Sequence, residues 1–414
     1  MEKKKIQSFR DQLRYILSKH CDEATMRSIE MKLNKINDSD QDLLARAKKE
    51  PEAESEHSII EEGFLYQISV ECQLLLPKKE YIVVLIEMAN LCVDFGEYAT
   101  AEALFTNAID AAKDGTRFLN QAAEALQYRA NILLRQARWD PAKSDLKESR
   151  QFFARAKNNV GVAKNENALG IFTAQQGNTK ESVAHFKKAA SLFEKAKMTD
   201  HASTAHMNLG IVSTMIGKFD EALAAYKRAL PEFENAGDVR RLAELHHNVG
   251  MLFLARAEMD SAIGQFDESL NYSNQVQYED LIGLASLGKA TAYTQKKDFP
   301  LAHVFGNKAQ TIFRRLNAHL SVADTYKVKG VIQREMEHFD AAELYLNTSI
   351  SLNQRYNNPS NLGEAYVEMG KLRQKNGDNA KAKQAYQKSL KCFQKVGARH
   401  AVDEVKAQLH LLRN

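Results

Sequence analysis

Three histidines, His206, His246 and His247, fall close together in the middle of the chain. Imidazoles can hold a metal or move a proton near neutral pH. A metal site would need them to converge with a carboxylate or a thiolate. His206 and His246 instead stand one 40-residue step apart at equivalent places, which is a packing pattern. The four cysteines, Cys21, Cys72, Cys92 and Cys392, are scattered, with no CxxC or CxH spacing. They read as free thiols in a reducing compartment, not as a disulfide framework or a zinc site. The chain has no glycine-rich phosphate loop, no GxSxG elbow and no HExxH. Its carboxylates are plentiful, but at 27% charged residues they read as solvated helix faces with i,i+4 pairing. The residues therefore predict no enzyme, no metal and no cofactor. They point to binding.

Composition narrows the kind of binding. The net charge is +4, from 57 basic and 53 acidic side chains, and no Lys/Arg run exceeds Lys3-Lys4-Lys5. A nucleic-acid footprint is not expected. The charged N-terminus lacks the apolar core of a signal peptide, and no window approaches 18 apolar residues. The expectation is a cytoplasmic protein with a protein or peptide partner, no nucleic acid and no membrane. Only 6 prolines and 19 glycines interrupt the chain, which favours helices.

The elements that would present such a surface recur with a fixed period. A small residue closes the first half of each unit at Ala89, Ala130, Gly170, Gly210, Gly250, Ala290, Gly330 and Gly370. Seven residues later a turn is expected, at Gly96, Ala137, Gly177, Gly217, Ala257, Lys297, Glu337 and Gly377. Sixteen residues after the small one comes a bulky apolar residue: Phe105, Leu146, Phe186, Tyr226, Phe266, Leu346 and Tyr386, with Gly306 as the exception. Small residues let facing helices approach, and the bulky residue fills the space between them. Asp140, Asp220, Asp260 and Asp340 share one register at the start of the second helix, where a carboxylate can accept from free N–H groups. Trp139 shares the register of Phe219, Phe299 and Phe339 and is expected in the core.

Three segments follow. Residues 81–398 form eight units. Residues 1–80 carry about four helices, including a short one from Asp40 to Lys49 and a longer one from about Glu54 to Leu76 closed by Pro77. They read either as a cap over the first unit or as a separate effector bundle. Residues 399–414 supply one amphipathic capping helix.

The pattern resembles the tetratricopeptide repeat, or TPR, with a period of 40 residues where 34 is usual. The resemblance implies an all-α, right-handed solenoid in which the first helix of each unit lines a concave groove. With the small residue as position 8, it implies groove-facing residues at positions 2, 5, 6, 9, 12 and 13. Carried onto this chain, those positions give the candidate partner-binding residues Asn90, Gln127, Asn131, Asn167, Ile171, Gln175, Met207, Asn208, Ile211, Met215, His247, Asn248, Met251, Lys327, Arg334, Lys371 and Lys375. The Lys/Asn/Arg set of a carboxylate clamp for chaperone tails is absent from any three consecutive units. Asn and Gln can pair with a ligand's main chain, and Met adapts to apolar anchors. The expectation is a non-catalytic adaptor that holds a peptide or helical segment with apolar anchors, flanked by acidic residues facing Lys371 and Lys375. The alternative is a signalling regulator resembling the Rap type, whose N-terminal helices act on a response regulator while the solenoid senses a peptide. The run Asp40-Gln41-Asp42-Leu43-Leu44 is similar to that family.

Overall fold

A computed structural model describes residues 2–31, 56–113, 117–136 and 138–412. The expected helix Asp40 to Lys49, the run Asp40 to Leu44 and the turn residue Ala137 lie outside the described residues. The described residues are all-α, an α-solenoid without strands. An N-terminal group comprises α1 (Glu2–His20), α2 (23–31) and α3 (Glu56–Leu75). Eight helix pairs follow. They are α4 (Lys78–Phe95) and α5 (Tyr98–Lys113), α6 (Leu119–Arg135) and α7 (Trp139–Arg155), α8 (Asn159–Gln175) and α9 (Thr179–Lys195), and α10 (Thr199–Met215) and α11 (Phe219–Asn235). Next come α12 (Val239–Ala255) and α13 (Met259–Gln275), α14 (Glu279–Gln295) and α15 (Phe299–Arg315), α16 (His319–Glu335) and α17 (Phe339–Arg355), and α18 (Pro359–Lys375) and α19 (Asn379–Lys395). The helix α20 (Arg399–Leu411) ends the series. The chain forms two compact units, Met1–Ala168 and Leu169–Asn414.

Most pairs are held by a bulky side chain seated on a glycine or alanine, and in four of them it is an aromatic ring on a glycine. A Cβ built on Gly210 would lie 2.4 Å from the Tyr226 ring, one on Gly170 2.6 Å from Phe186, and one on Gly370 2.6 Å from Tyr386. Such distances leave no room for a methyl group. At the exception, a Cβ built on Gly306 would lie 3.9 Å from the Ala290 methyl and 3.9 Å from the Ile332 side chain. Ala290 stands where the glycine would be, and Gly306 takes the place of the ring. Serines at the small positions serve a second purpose. Ser149 donates to the Ala123 carbonyl at 2.7 Å, and Ser269 to the Ala243 carbonyl at 2.9 Å, so their buried hydroxyls are satisfied across the helix pair.

Every turn between described helices from α8 onward passes through one left-handed residue. Within pairs these are Gly177, Gly217, Ala257, Lys297, Glu337 and Gly377. The Lys218 N–H donates to the Ser213 carbonyl at 2.9 Å, and the Gly217 N–H to Thr214 at 3.1 Å, which closes the helix end. The four aspartates at the following register do not cap. Their helices begin one residue earlier, at Trp139, Phe219, Met259 and Phe339, and have no side-chain cap bond. The carboxylates sit inside the first turn, where they favour the dipole only. Capping falls to Asp238, Asp298, Asn358 and Asp378, which accept from the N–H of Arg241, Leu301, Asn361 and Lys381. Trp139, Phe219, Phe299 and Phe339 are half-buried at the edge of the core, because they stand on the first residue of the second helix.

In the first unit, α1 and α3 pack on α4. Phe9, Leu13 and Leu17 share one buried core with Leu65, Ile68, Ile82 and Leu85. Phe9 meets Phe95 edge-on at 5.1 Å. At the other end of the chain, Val405 of α20 is buried against Phe393 and Tyr386. In the second unit, the turn at Gly397 also comes against the Gln176 carbonyl, 3.5 Å from where a Cβ would stand.

Two measurements check this account. Gly210→Ala is expected to lower stability by about 1–3 kcal/mol through overpacking on Tyr226. Adding Tyr226→Leu should recover part of the loss, since Ala130 and Leu146 already form that pairing in the second repeat. Lys297→Gly, at φ +61°, should raise stability by ~0.5–1 kcal/mol by removing left-handed strain. Urea unfolding reads both.

Candidate functional site

The first helices of successive pairs lie side by side: α4 with α6 in the first unit, and α10, α12, α14, α16 and α18 in the second. Each turns its glycine or alanine face to its own second helix. The opposite face is left to line the array, and the candidate residues fall on or beside it.

In the second unit four apolar side chains stand out from successive first helices. Ile171 on α8 is 37% exposed, Met215 on α10 is 55%, Met251 on α12 is 44% and Leu284 on α14 is 39%. Gln175 and Gln295 are exposed beside them, and Asn208 and Asn248 are half-buried. Ile211 is half-buried and packs on the core of its pair. Met207 is not on the lining surface. It lies in the core, packed with Tyr226 of its own second helix and Leu242 of the next first helix. His247 is also largely enclosed. Its ring lies 5.6 Å from Phe266 and its Nδ1 has no partner. Burial pushes its pKa down to about 4, so the ring is neutral.

In the first unit Asn131 is exposed, while Asn90, Gln127 and Asn167 are half-buried. Tyr128 stacks on Phe105 at 5.7 Å. Two lining positions of α4 are already occupied. Ile86 is buried in the shared core, and Glu87 is held by Lys19 at 3.8 Å and His20 at 3.3 Å from α1.

The four candidate cations lie together on α16 and α18, but none awaits a ligand. Lys327 pairs with Glu364 at 2.5 Å and Asp324 at 3.0 Å. Arg334 pairs with Glu368 at 2.5 Å and Glu335 at 2.9 Å. Lys371 holds Glu368 at 2.7 Å, and Lys375 holds Glu335 at 3.3 Å. Burial alone would push the Lys327 ammonium down, but Glu364 and Asp324 together carry it above its ordinary value. Burial likewise raises Glu368, and Lys371 and Arg334 more than reverse it. The ladder cross-links two lining helices electrostatically. Opposite charges in neighbouring periods were its sequence signal, in Lys327 with Glu364 and Arg334 with Glu368.

The histidines and cysteines are placed as packing groups. The His206 Nε2 lies 2.9 Å from Glu194, and the His246 Nδ1 lies 2.9 Å from Gln265. Burial pushes the Cys72 thiol up to about 12. Among the described residues no three His, Cys, Asp or Glu side chains are grouped to hold a metal, and no helix is long and apolar enough to cross a membrane.

His247 gives the site a measurable acid sensitivity. Its folded pKa lies below the ordinary value of about 6.5. Between the two values only the unfolded chain takes up the proton, so stability present above pH 6.5 is lost as pH falls toward 4. The contribution lost between pH 7 and pH 5 is on the order of 1–2 kcal/mol. His247→Leu, which installs the residue type found at Leu287 one period later, should flatten the pH dependence of urea unfolding by that amount.

Residues 161–235 and 363–392 match the family described as tetratricopeptide repeat. No curated protein matches this sequence. Among solved structures, the chain is similar to the apo form of the quorum sensor NprR from B. thuringiensis, at 14% identity over 90% of this chain and 99% of that one, with a TM-score of 0.59. It is similar to a Rap protein complexed with competence and sporulation factor, at 13% identity over 81% and 98%, with a TM-score of 0.57. It is similar to apo RapI, at 12% identity over 66% and 97%, with a TM-score of 0.52. At these identities the likeness is one of fold.

Proposed function

The chain is a tetratricopeptide-repeat protein, and from that premise we propose that it is a non-catalytic adaptor holding a protein segment along the lining face of α8 to α14. The observation that carries this reading is the row Ile171, Met215, Met251 and Leu284. Four exposed apolar side chains on four successive first helices, at different heights along them, leave apolar surface that folding does not need. The amides of Gln175, Asn248 and Gln295 stand among them and can pair with a ligand's backbone. An extended or helical segment with spaced apolar residues fits such a row. An acidic flank is not part of the proposal, because Lys371 and Lys375 already hold carboxylates. In this reading residues 1–80 cap the array, 81–398 form it, and 399–414 close it.

A second reading, a peptide-sensing regulator, is supported by the reach of the fold likeness. The similarity to the quorum sensor NprR covers 90% of the chain, more than residues 81–414 make up. The similarity therefore extends into the N-terminal helices. The core shared by α1, α3 and α4 favours the cap instead. Deleting residues 1–80 separates the two. Retained peptide binding by residues 81–414 with loss of activity in the cell would favour the regulator.

The groove itself is tested by selecting peptides from a displayed random library on the full chain. Selected peptides should carry spaced apolar residues. Met215→Glu with Met251→Glu should weaken them roughly 10- to 100-fold. Val304→Glu on the exposed outer face of α15 should leave them unchanged. Binding that survives the double substitution in a folded protein sinks the groove, and loss in Val304→Glu moves the site to the outer face.

A further inference from the structure

At one place in the array, the contact between first and second helices holds polar and cationic groups without a carboxylate, where other pairs use apolar groups or ion pairs such as Arg129 with Asp145. The Lys329 side chain on α16 is 7% exposed. Its Nζ donates to the Gln310 Oε1 of α15 at 2.5 Å and lies 5.8 Å from the Tyr345 ring centroid on α17. On the same faces of α15 and α16, Arg314 donates to the Tyr326 hydroxyl at 2.6 Å, and the His303 Nε2 meets the Gln333 amide at 3.1 Å. No carboxylate is paired with Lys329, Arg314 or His303 among the described residues.

The other units act as internal references. Where Lys329 stands, the pair two periods earlier places Val249 and the next pair places Met369. Where Gln310 stands, the pairs on either side place Leu270 and Ile350. Lys289, one period before Lys329, is equally buried but has the Asp267 carboxylate at 2.5 Å. The equivalent of Asp267 for Lys329 is Asn307, which removes the counter-charge. One period after His303 and Gln333, Glu343 and Arg373 form an ion pair. The array thus balances or omits charge at these positions in the neighbouring units, and where α15, α16 and α17 meet it does neither.

A buried ammonium without a counter-ion is destabilising, and a second cation nearby adds to it. Burial, and then the charge of Arg314, push the Lys329 ammonium down. Burial, and then Lys329 and His338, push His303 down. We propose that the polar contact where α15, α16 and α17 meet is a binding site for a phosphate-type oxyanion, held by the buried Lys329 and the exposed Arg314 with Gln310, Gln333 and His303 around them. Two cationic side chains and two amides supply donors on several sides, and a bound dianion would favour the charged form of Lys329, which suits a tetrahedral oxyanion. The phosphoryl group can be free phosphate or a phosphorylated side chain of a partner. Both present the same oxygens to Lys329.

The test is the melting temperature of the full chain in chloride and in inorganic phosphate at matched ionic strength, repeated with a phosphoserine peptide and its unphosphorylated form. Phosphate should raise the melting temperature of the native protein. Lys329→Met installs the residue type found at Met88 and Met369, so it should fold, melt a few degrees higher in chloride, and lose the phosphate increment. Lys289→Met should keep that increment. Gln310→Leu, matching Leu270 one period earlier, provides a second variant that should lose it. An increment from the phosphopeptide alone assigns the site to a phosphorylated partner, and an increment from both assigns it to the phosphoryl group as such. An equal increment in Lys329→Met, or none with either phosphate or phosphopeptide, overturns the proposal.

Discussion

The seating of a bulky side chain on a glycine or alanine of the facing helix is the contact on which the rest of the structure depends. Gly210 with Tyr226 and Gly370 with Tyr386 bring two backbones closer than side chains would otherwise allow. The ring then fills the remaining gap, at the density expected of a protein interior. Because the contact is short-range and repeats every 40 residues, each pair is fixed by its own residues and then stacked on the next. Ala130 with Leu146 and Gly330 with Leu346 show that the constraint is a small residue facing a bulky one and not a particular residue identity.

This arrangement decides which faces are available for anything else. A first helix uses one face for the glycine seat and its flanks for neighbouring first helices. Only the lining face is then free to vary without unfolding the pair. Along that face the chain changes character. Apolar side chains stand exposed on α8 to α14, whereas on α16 and α18 the same face is an ion-pair ladder. The ladder is self-satisfied, so its charges contribute to rigidity more than to recognition. In the proposed reading recognition falls to the apolar stretch, where burying Met215 or Met251 against a partner would remove exposed area from water.

Much of the fold was legible because periodicity averages out local ambiguity. The glycine, turn and ring registers each recur eight times, so Lys297 and Glu337 could be placed in turns although neither residue favours a left-handed backbone. What remained illegible depends on rotation about a helix axis by less than one residue. Met207 and Met215 both sit at lining positions by count, yet one is core and the other is the most exposed of the row. Likewise the register aspartates fall one residue inside their helices, which turns a cap into a dipole contact. The ion pairs of Lys371 and Lys375 needed side-chain reach between units, which residue types alone do not give.

Repetition also lets departures from the pattern be judged against the chain itself. A buried lysine in an ordinary domain has no internal standard. Here Lys289 and Lys329 occupy the same place in consecutive units, with the same burial and an aromatic ring near each ammonium. They differ in whether the preceding outer helix supplies Asp267 or Asn307. The methionines at Met88 and Met369 show that the site can be filled without any charge. A cation kept where an apolar side chain fits, and separated from the carboxylate its twin possesses, is a destabilising choice that packing does not require. The apolar row of the groove departs in the same sense, since exposed methionines at Met215 and Met251 add nothing to the helix pair that carries them. Both departures leave chemistry uncovered, one apolar on the lining face and one cationic between α15 and α17, and each calls for a partner of complementary kind.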